Sequence, residues 1–189
     1  MVSRRRGSDE HNEREVELFR REFPAAEYRI IEDGPERKRL RKLAERLGVA
    51  RSVTFWGVIP RWQVLEKLAE CDVLVHPSLH DSSPAVCVEA MAAGRPVVCL
   101  DLGGPALQVT EDTGIEVPAT SPDQVTHDLA NAFYKLASDP GLRTRLSLGA
   151  RKRVEEDFDW EKKGPFMAKL YGSLFTVEEG MTAERKHST

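Results

Sequence analysis

Short apolar, β-branched runs alternate with longer stretches of helical periodicity along this chain of 189 residues. The runs Tyr28–Ile31, Ser52–Trp56, Asp72–His76, Pro96–Leu100 and Ile115–Val117 predict strands. Most are apolar at successive positions, as parallel strands covered by helices on both faces are. Between them the punctuation predicts helices. Pro35 opens one that runs to Leu47, and Gly48 stops it. Pro60 opens a second through Glu70, with Trp62, Leu65 and Leu68 as its buried stripe. Ser82 and Ser83 read as N-caps of a third, Pro84–Ala93, closed by Gly94. Three more follow the last strand: Pro122–Ser138, Pro140–Phe158 and Trp160–Phe175.

Strands joined to helices by short links predict right-handed crossovers and a parallel sheet, so the expected fold is α/β and Rossmann-like. The expected organisation is an N-terminal segment over residues 1–26, one domain over 27–175, and a polar, disordered tail over 176–189. In such sheets ligands bind beyond the carboxyl ends of the strands. Chemistry is therefore expected in Glu32–Pro35, Gly57–Pro60, Pro77–Pro84 and Asp101–Pro105.

Composition narrows the function classes. A net charge of -3 gives no bulk attraction to nucleic acid or anionic lipid. The basic run Arg4-Arg5-Arg6 is followed at once by Asp9, Glu10 and Glu13, as in a solvated terminus. No apolar run approaches the ~20 residues of a membrane span, and the first residues lack the apolar core of a secretory signal. The expectation is a cytoplasmic protein. Cys71, Cys87 and Cys99 lie in apolar stretches without metal-ligand spacing, which fits reduced thiols packed as small hydrophobes. Five histidines, at 11, 76, 80, 127 and 187, form no metal pattern.

The segment His76–Met91 is the most informative. A strand leads through a polar loop, Pro77–Ser83, into a helix start rich in hydroxyls. Unpaired N–H groups and the positive end of the helix dipole suit a phosphate there. Asp81 lies in the loop and Glu89 about two turns into the helix, where a carboxylate can accept hydrogen bonds from vicinal hydroxyls. Apolar neighbours Val88, Ala90 and Met91 place Glu89 partly out of water, in need of a partner. The plainer alternative makes the serines caps and Glu89 a surface charge.

The pair Asp81 and Glu89, with seven residues between them, resembles the acidic-x7-acidic motif of retaining GT-B glycosyltransferases of the glycosyl transferases group 1 family (family 4). Further segments resemble that family in order. They are Ile30–Arg37, Val53–Gly57, Cys71–Ser78, Glu89–Val98, Leu102–Pro105, Thr113–Ile115 and Phe158-Asp159-Trp160. The resemblance covers about Glu27 to Tyr171.

The resemblance implies a nucleotide-diphosphate sugar as donor and a metal-independent transfer of a hexose to a glycan or lipid-linked acceptor. It implies that Glu89 holds the ribose hydroxyls and Asp81 contacts the donor sugar. Ser82, Ser83, Ala85 and Val86 would cradle sugar and diphosphate through their backbone. Gly57 and Val58 would flank the base, and Gly34 would let backbone run close to the donor. His80, a loop histidine, stands beside Asp81.

Several features depart from the family. Asp81 is one methylene shorter than the usual glutamate, Ser83-Pro84 replaces glycines, and Glu32 adds a charge beside the cleft. The sequence resembles only the C-terminal half of a GT-B fold, with the first strand truncated. Met1–Arg4 would be its stub, with Arg4 at the family's diphosphate-binding arginine and Asp9 where a lysine is usual. An acceptor-domain partner or self-association would be needed, and transfer by the isolated chain is not expected. The competing reading is a catalytically inactive nucleotide-sugar-binding or interaction module.

Overall fold

The computed structural model describes residue 19 and residues 21–31 and 33–184. The strand stub expected at Met1–Arg4, Arg4 itself and Glu32 lie outside the described residues. In chain order the elements are β1 (Tyr28–Ile30), α1 (Arg37–Arg46), a 3-10 turn (Ala50–Ser52), β2 (Val53–Phe55), α2 (Arg61–Glu70) and β3 (Leu74–His76). Then come α3 (Ala85–Ala92), β4 (Val97–Leu100), α4 (Gly103–Gln108), β5 (Gly114–Val117), α5 (Pro122–Ser138), α6 (Pro140–Arg153), a π-helical turn (Val154–Phe158) and α7 (Trp160–Glu184).

All strand pairings are parallel. β1 pairs with β2, with Tyr28 opposite Val53, and β3-β4-β5 form a second sheet with Val75 opposite Val98 and Val98 opposite Ile115. β1 and β3 therefore each present one ladder edge with no strand partner among the described residues.

β4 explains where the core sits. All four of its residues are buried, and the two-residue side-chain period divides them between faces. Val97 and Cys99 pack with Cys87, Ala90 and Met91 of α3, while Val98 and Leu100 pack with Ala132 and Leu136 of α5 and Leu142 and Leu146 of α6. Helices thus cover both faces of the sheet, the arrangement that the continuous apolar runs predict.

The helices differ from expectation in four places. α4 begins inside Asp101–Pro105, a segment expected only as a connection after a strand, and makes a short helix. α7 continues to Glu184, through residues assigned in sequence to a disordered tail. Of the stripe Trp62, Leu65 and Leu68, only Leu68 is buried; the other two face solvent. Finally, neither Ser82 nor Ser83 caps α3, whose N-cap position is Pro84 with no side-chain capping bond. The Pro84 ring holds φ at -69° with ψ at 114°, so the chain stays extended there and the helix starts at Ala85.

On β5, Glu116 stands opposite Cys99, and burial, reinforced by the charge of Asp101, raises its carboxyl above the usual range. The folded state therefore binds this proton more tightly than the unfolded chain. Its contribution is full below the unfolded value and is lost as pH rises through the folded one. Glu116→Gln is expected to raise the melting temperature at pH 7 and to leave it unchanged below about pH 4. Thermal melts across that range check the sign.

Candidate functional site: the carboxyl ends of the strands

The turn after β1 is built by Asp33, whose Oδ1 accepts from the Gly34 amide at 2.8 Å. Arg37 ties this turn to β2: Nη1 reaches Asp33 Oδ2 at 3.2 Å and Nη2 donates to the Phe55 carbonyl at 3.2 Å. Gly57 follows with φ +72°, a conformation that calls for glycine, and a Cβ there would stand 2.9 Å from Arg37 Nη1 and push that side chain aside. Gly34 is exposed, with no atom within 4 Å of its would-be Cβ, so protein packing does not demand glycine there. Val58 projects outward, 81% exposed.

The loop after β3 is held from inside the protein. Asp81 Oδ1 accepts from the Ser83 amide at 3.2 Å, and the Asp81 carbonyl accepts from the Gly104 amide at 2.9 Å. His76 Nε2 lies 3.3 Å from Asp81 Oδ2. That is charge-pair distance without hydrogen-bond alignment, so His76 Nε2 is buried with no hydrogen-bond partner. Gly103, at φ +58°, and Gly104 press against the same loop; a Cβ on Gly104 would meet the Ser82 carbonyl oxygen at 2.1 Å. Both Asp81 oxygens thus face protein groups, and the Ser83 amide is committed. The Ala85 and Val86 amides, which open α3, have no acceptor among the described residues. His80 is exposed, its amide 3.5 Å from Ser78 Oγ.

Glu89 sits midway along α3, its side chain only 18% exposed, and it has the partner that its apolar setting demands. Arg61, the first residue of α2, places Nε at 2.9 Å and Nη2 at 2.6 Å from Glu89 Oε1. Sequence reasoning missed Arg61. A signal was present: a cation at the first position of a helix opposes the helix dipole and calls for an anion nearby. His76 was also missed, since nothing local marks a strand-end histidine as the neighbour of a residue in the following loop.

The Arg61–Glu89 contact thus joins the start of α2, just after Gly57, to α3, and the Gly104–Asp81 bond joins the loop after β3 to the segment after β4. Two surface depressions of about 270 and 220 Å³ lie elsewhere, each lined by Ile115, Glu116 and Lys135. Burial pushes the Cys87 and Cys99 thiols up to about 12, so both are packed, protonated thiols at neutral pH. Among the described residues no three His, Cys, Asp or Glu side chains gather as a metal site, and no helix is long and apolar enough to cross a membrane.

The profile of the family "Glycosyl transferases group 1" matches residues 12–153. A D-inositol 3-phosphate glycosyltransferase of Streptomyces bingchenggensis is 36% identical over 135 residues, covering 71% of this chain and 29% of that protein. The Anabaena protein Alr3699/HepE, solved in complex with UDP, superposes with a TM-score of 0.69 at 25% identity, over 79% of this chain and 42% of its own. The solved C-terminal domain of a glycosyl transferase group 1 protein (LpcC) from Francisella tularensis shares the fold, with a TM-score of 0.67 at 20% identity over 84% and 83% of the two chains. The chain spans about a third of the length of the curated relatives it matches.

Proposed function

The chain belongs to the glycosyl transferases group 1 family, and from that premise we propose that it is the donor-binding half of a retaining, metal-independent glycosyltransferase. The donor is a nucleotide-diphosphate sugar, and a hexose passes to a glycan or lipid-linked acceptor. The parallel α/β architecture is that of GT-B enzymes. The observation that carries the reading is Glu89: a largely buried carboxylate on the ligand-binding face of a parallel sheet, with Oε2 making no hydrogen bond among the described residues. Such an oxygen accepts from a ribose diol.

The remaining roles follow from position. The amides of Ser82, Ala85 and Val86 and the dipole of α3 face the diphosphate and stabilise charge developing on it as the glycosidic bond breaks. Gly57 and Val58 flank the base, and the exposed Gly34 turn lets the donor approach backbone. Asp81 offers the donor sugar only Oδ2 outright, since Oδ1 already holds the Ser83 amide, and Oδ2 is flanked by His76 at 3.3 Å. That constraint favours a second reading, a nucleotide-sugar-binding module without transfer activity. An acceptor-binding half, or a second copy, docks on α7, where Trp160, Phe166, Leu170 and Tyr171 are exposed.

Calorimetric titration with UDP, GDP and ADP tests the donor reading. Saturable binding of one nucleotide is expected, as reported by the UDP complex of the Anabaena relative for that protein. Binding of none by the folded chain overturns it. Transfer from the matching nucleotide sugar, with an acceptor half supplied, separates the enzyme from the binding module.

A further inference from the structure

Arg61 has no place in the roles above, yet it makes the closest contact on the donor face. Its side chain is 77% exposed, whereas that of Glu89 is 18% exposed. Two of its nitrogens converge on Oε1 of Glu89, at 2.9 and 2.6 Å, and none reaches Oε2. A guanidinium free to choose pairs side-on with a carboxylate and takes both oxygens. Here the fork closes on one oxygen and leaves its twin without a hydrogen bond among the described residues.

Helix stability does not account for the arginine. At the first position of α2 its charge opposes the helix dipole, and the first turn holds no acidic residue to offset it. With its guanidinium 77% exposed, the pair also adds little to folding. The contact does something more specific. It anchors Glu89 on α3 to the start of α2, directly after Gly57-Val58-Ile59-Pro60, the turn at the end of β2.

We propose that Arg61 is a positioning residue for nucleotide recognition: it holds Glu89 through Oε1 so that Oε2 faces the ribose diol, and it thereby sets the preference for ribo- over deoxyribonucleotides. This rests on the donor-site reading above. Arg61 takes both lone pairs of Oε1, so the ligand hydroxyls bind to the two lone pairs of Oε2, while the guanidinium keeps the carboxylate in one rotamer. Without Arg61, Glu89 has no other partner among the described residues and swings among rotamers.

The test uses the full chain and whichever of UDP, GDP and ADP binds best, with its 2′-deoxy and 3′-deoxy analogues. The unsubstituted chain is expected to prefer the ribonucleotide by about tenfold or more, the scale of a hydrogen bond to a charged group. Arg61→Met is expected to lose most of that preference, with affinity for the deoxy analogues changed less than about threefold. Arg61→Lys, which keeps the charge but cannot fork, should recover part of it. An unchanged ribo/deoxy ratio in Arg61→Met overturns the inference, whether both affinities stay put or fall in parallel, as a purely structural role predicts. If the unsubstituted chain binds no nucleotide, the donor-site reading fails and this inference with it. If binding depends on Glu89 but the ratio ignores Arg61, this inference alone fails.

Discussion

Gly104→Ala is expected to lower the melting temperature by several degrees and to weaken nucleotide binding together with it. A Cβ at this position would stand 2.1 Å from the Ser82 carbonyl oxygen, 2.4 Å from its carbon and 2.7 Å from the Ser83 nitrogen. All three are backbone atoms, so no side chain can rotate away; the loop after β3 must move. Overpacking of this kind costs about 1–3 kcal/mol. For a domain of this size each kcal/mol lowers the melting temperature by about 2–4 °C. The displaced loop is the one whose Asp81 carbonyl bonds the Gly104 amide and whose Ser83 leads into Pro84 and α3. Binding should therefore fall even at temperatures where the variant stays folded. Gly172→Ala on α7 is the control, because nothing lies within 4 Å of its would-be Cβ. Alanine there is expected to leave binding alone and to stabilise by up to about 1 kcal/mol. Thermal melts and titrations on both variants check the contrast.

Glu89→Ala carries the largest expected effect on binding. The carboxylate is mostly buried, and hydrogen bonds to a charged group contribute about 1.5–3 kcal/mol each. Losing the acceptor for a ribose diol is expected to weaken the nucleotide at least 100-fold, about 2.7 kcal/mol. Folding should hardly change. The partner left behind, Arg61, is 77% exposed and returns to water without leaving a buried charge. Function and stability are thus separable at this residue, which they are not at Gly104.

How much of this was legible in sequence depended on whether the cause was local. The strands were legible because β4 and its neighbours are continuous apolar runs, and only parallel strands covered on both faces need them. The helix starts at Pro122 and Pro140 were equally local, each with a side-chain cap just ahead, Ser121 and Asp139. The partial burial of Glu89 followed from its apolar neighbours, and the structure bears it out. Its partner did not follow, because Arg61 lies in another helix and only the packing of α2 against α3 brings the two together. The resemblance implies Asp81 as a donor-sugar contact but does not reveal what holds it, since the bond from the Ser83 amide and the approach of His76 depend on the exact path of the loop. Ser82 and Ser83 looked like caps by residue type, but Pro84 sets the helix start one step later. The helicity of α4 was hidden because two glycines and a proline resemble a turn, and the reason for the glycines is a loop that lies some twenty residues back in sequence.

The account turns on Glu89 as the nucleotide contact. A paired calorimetric titration tests it most directly, with UDP, GDP and ADP added to the chain and to its Glu89→Ala variant, and a thermal melt of each protein. The account predicts that one nucleotide binds the unsubstituted chain near one-to-one, that the variant weakens it at least 100-fold, and that the two melts agree within about 1 kcal/mol. A variant that melts like its parent and binds nucleotide equally well would contradict it.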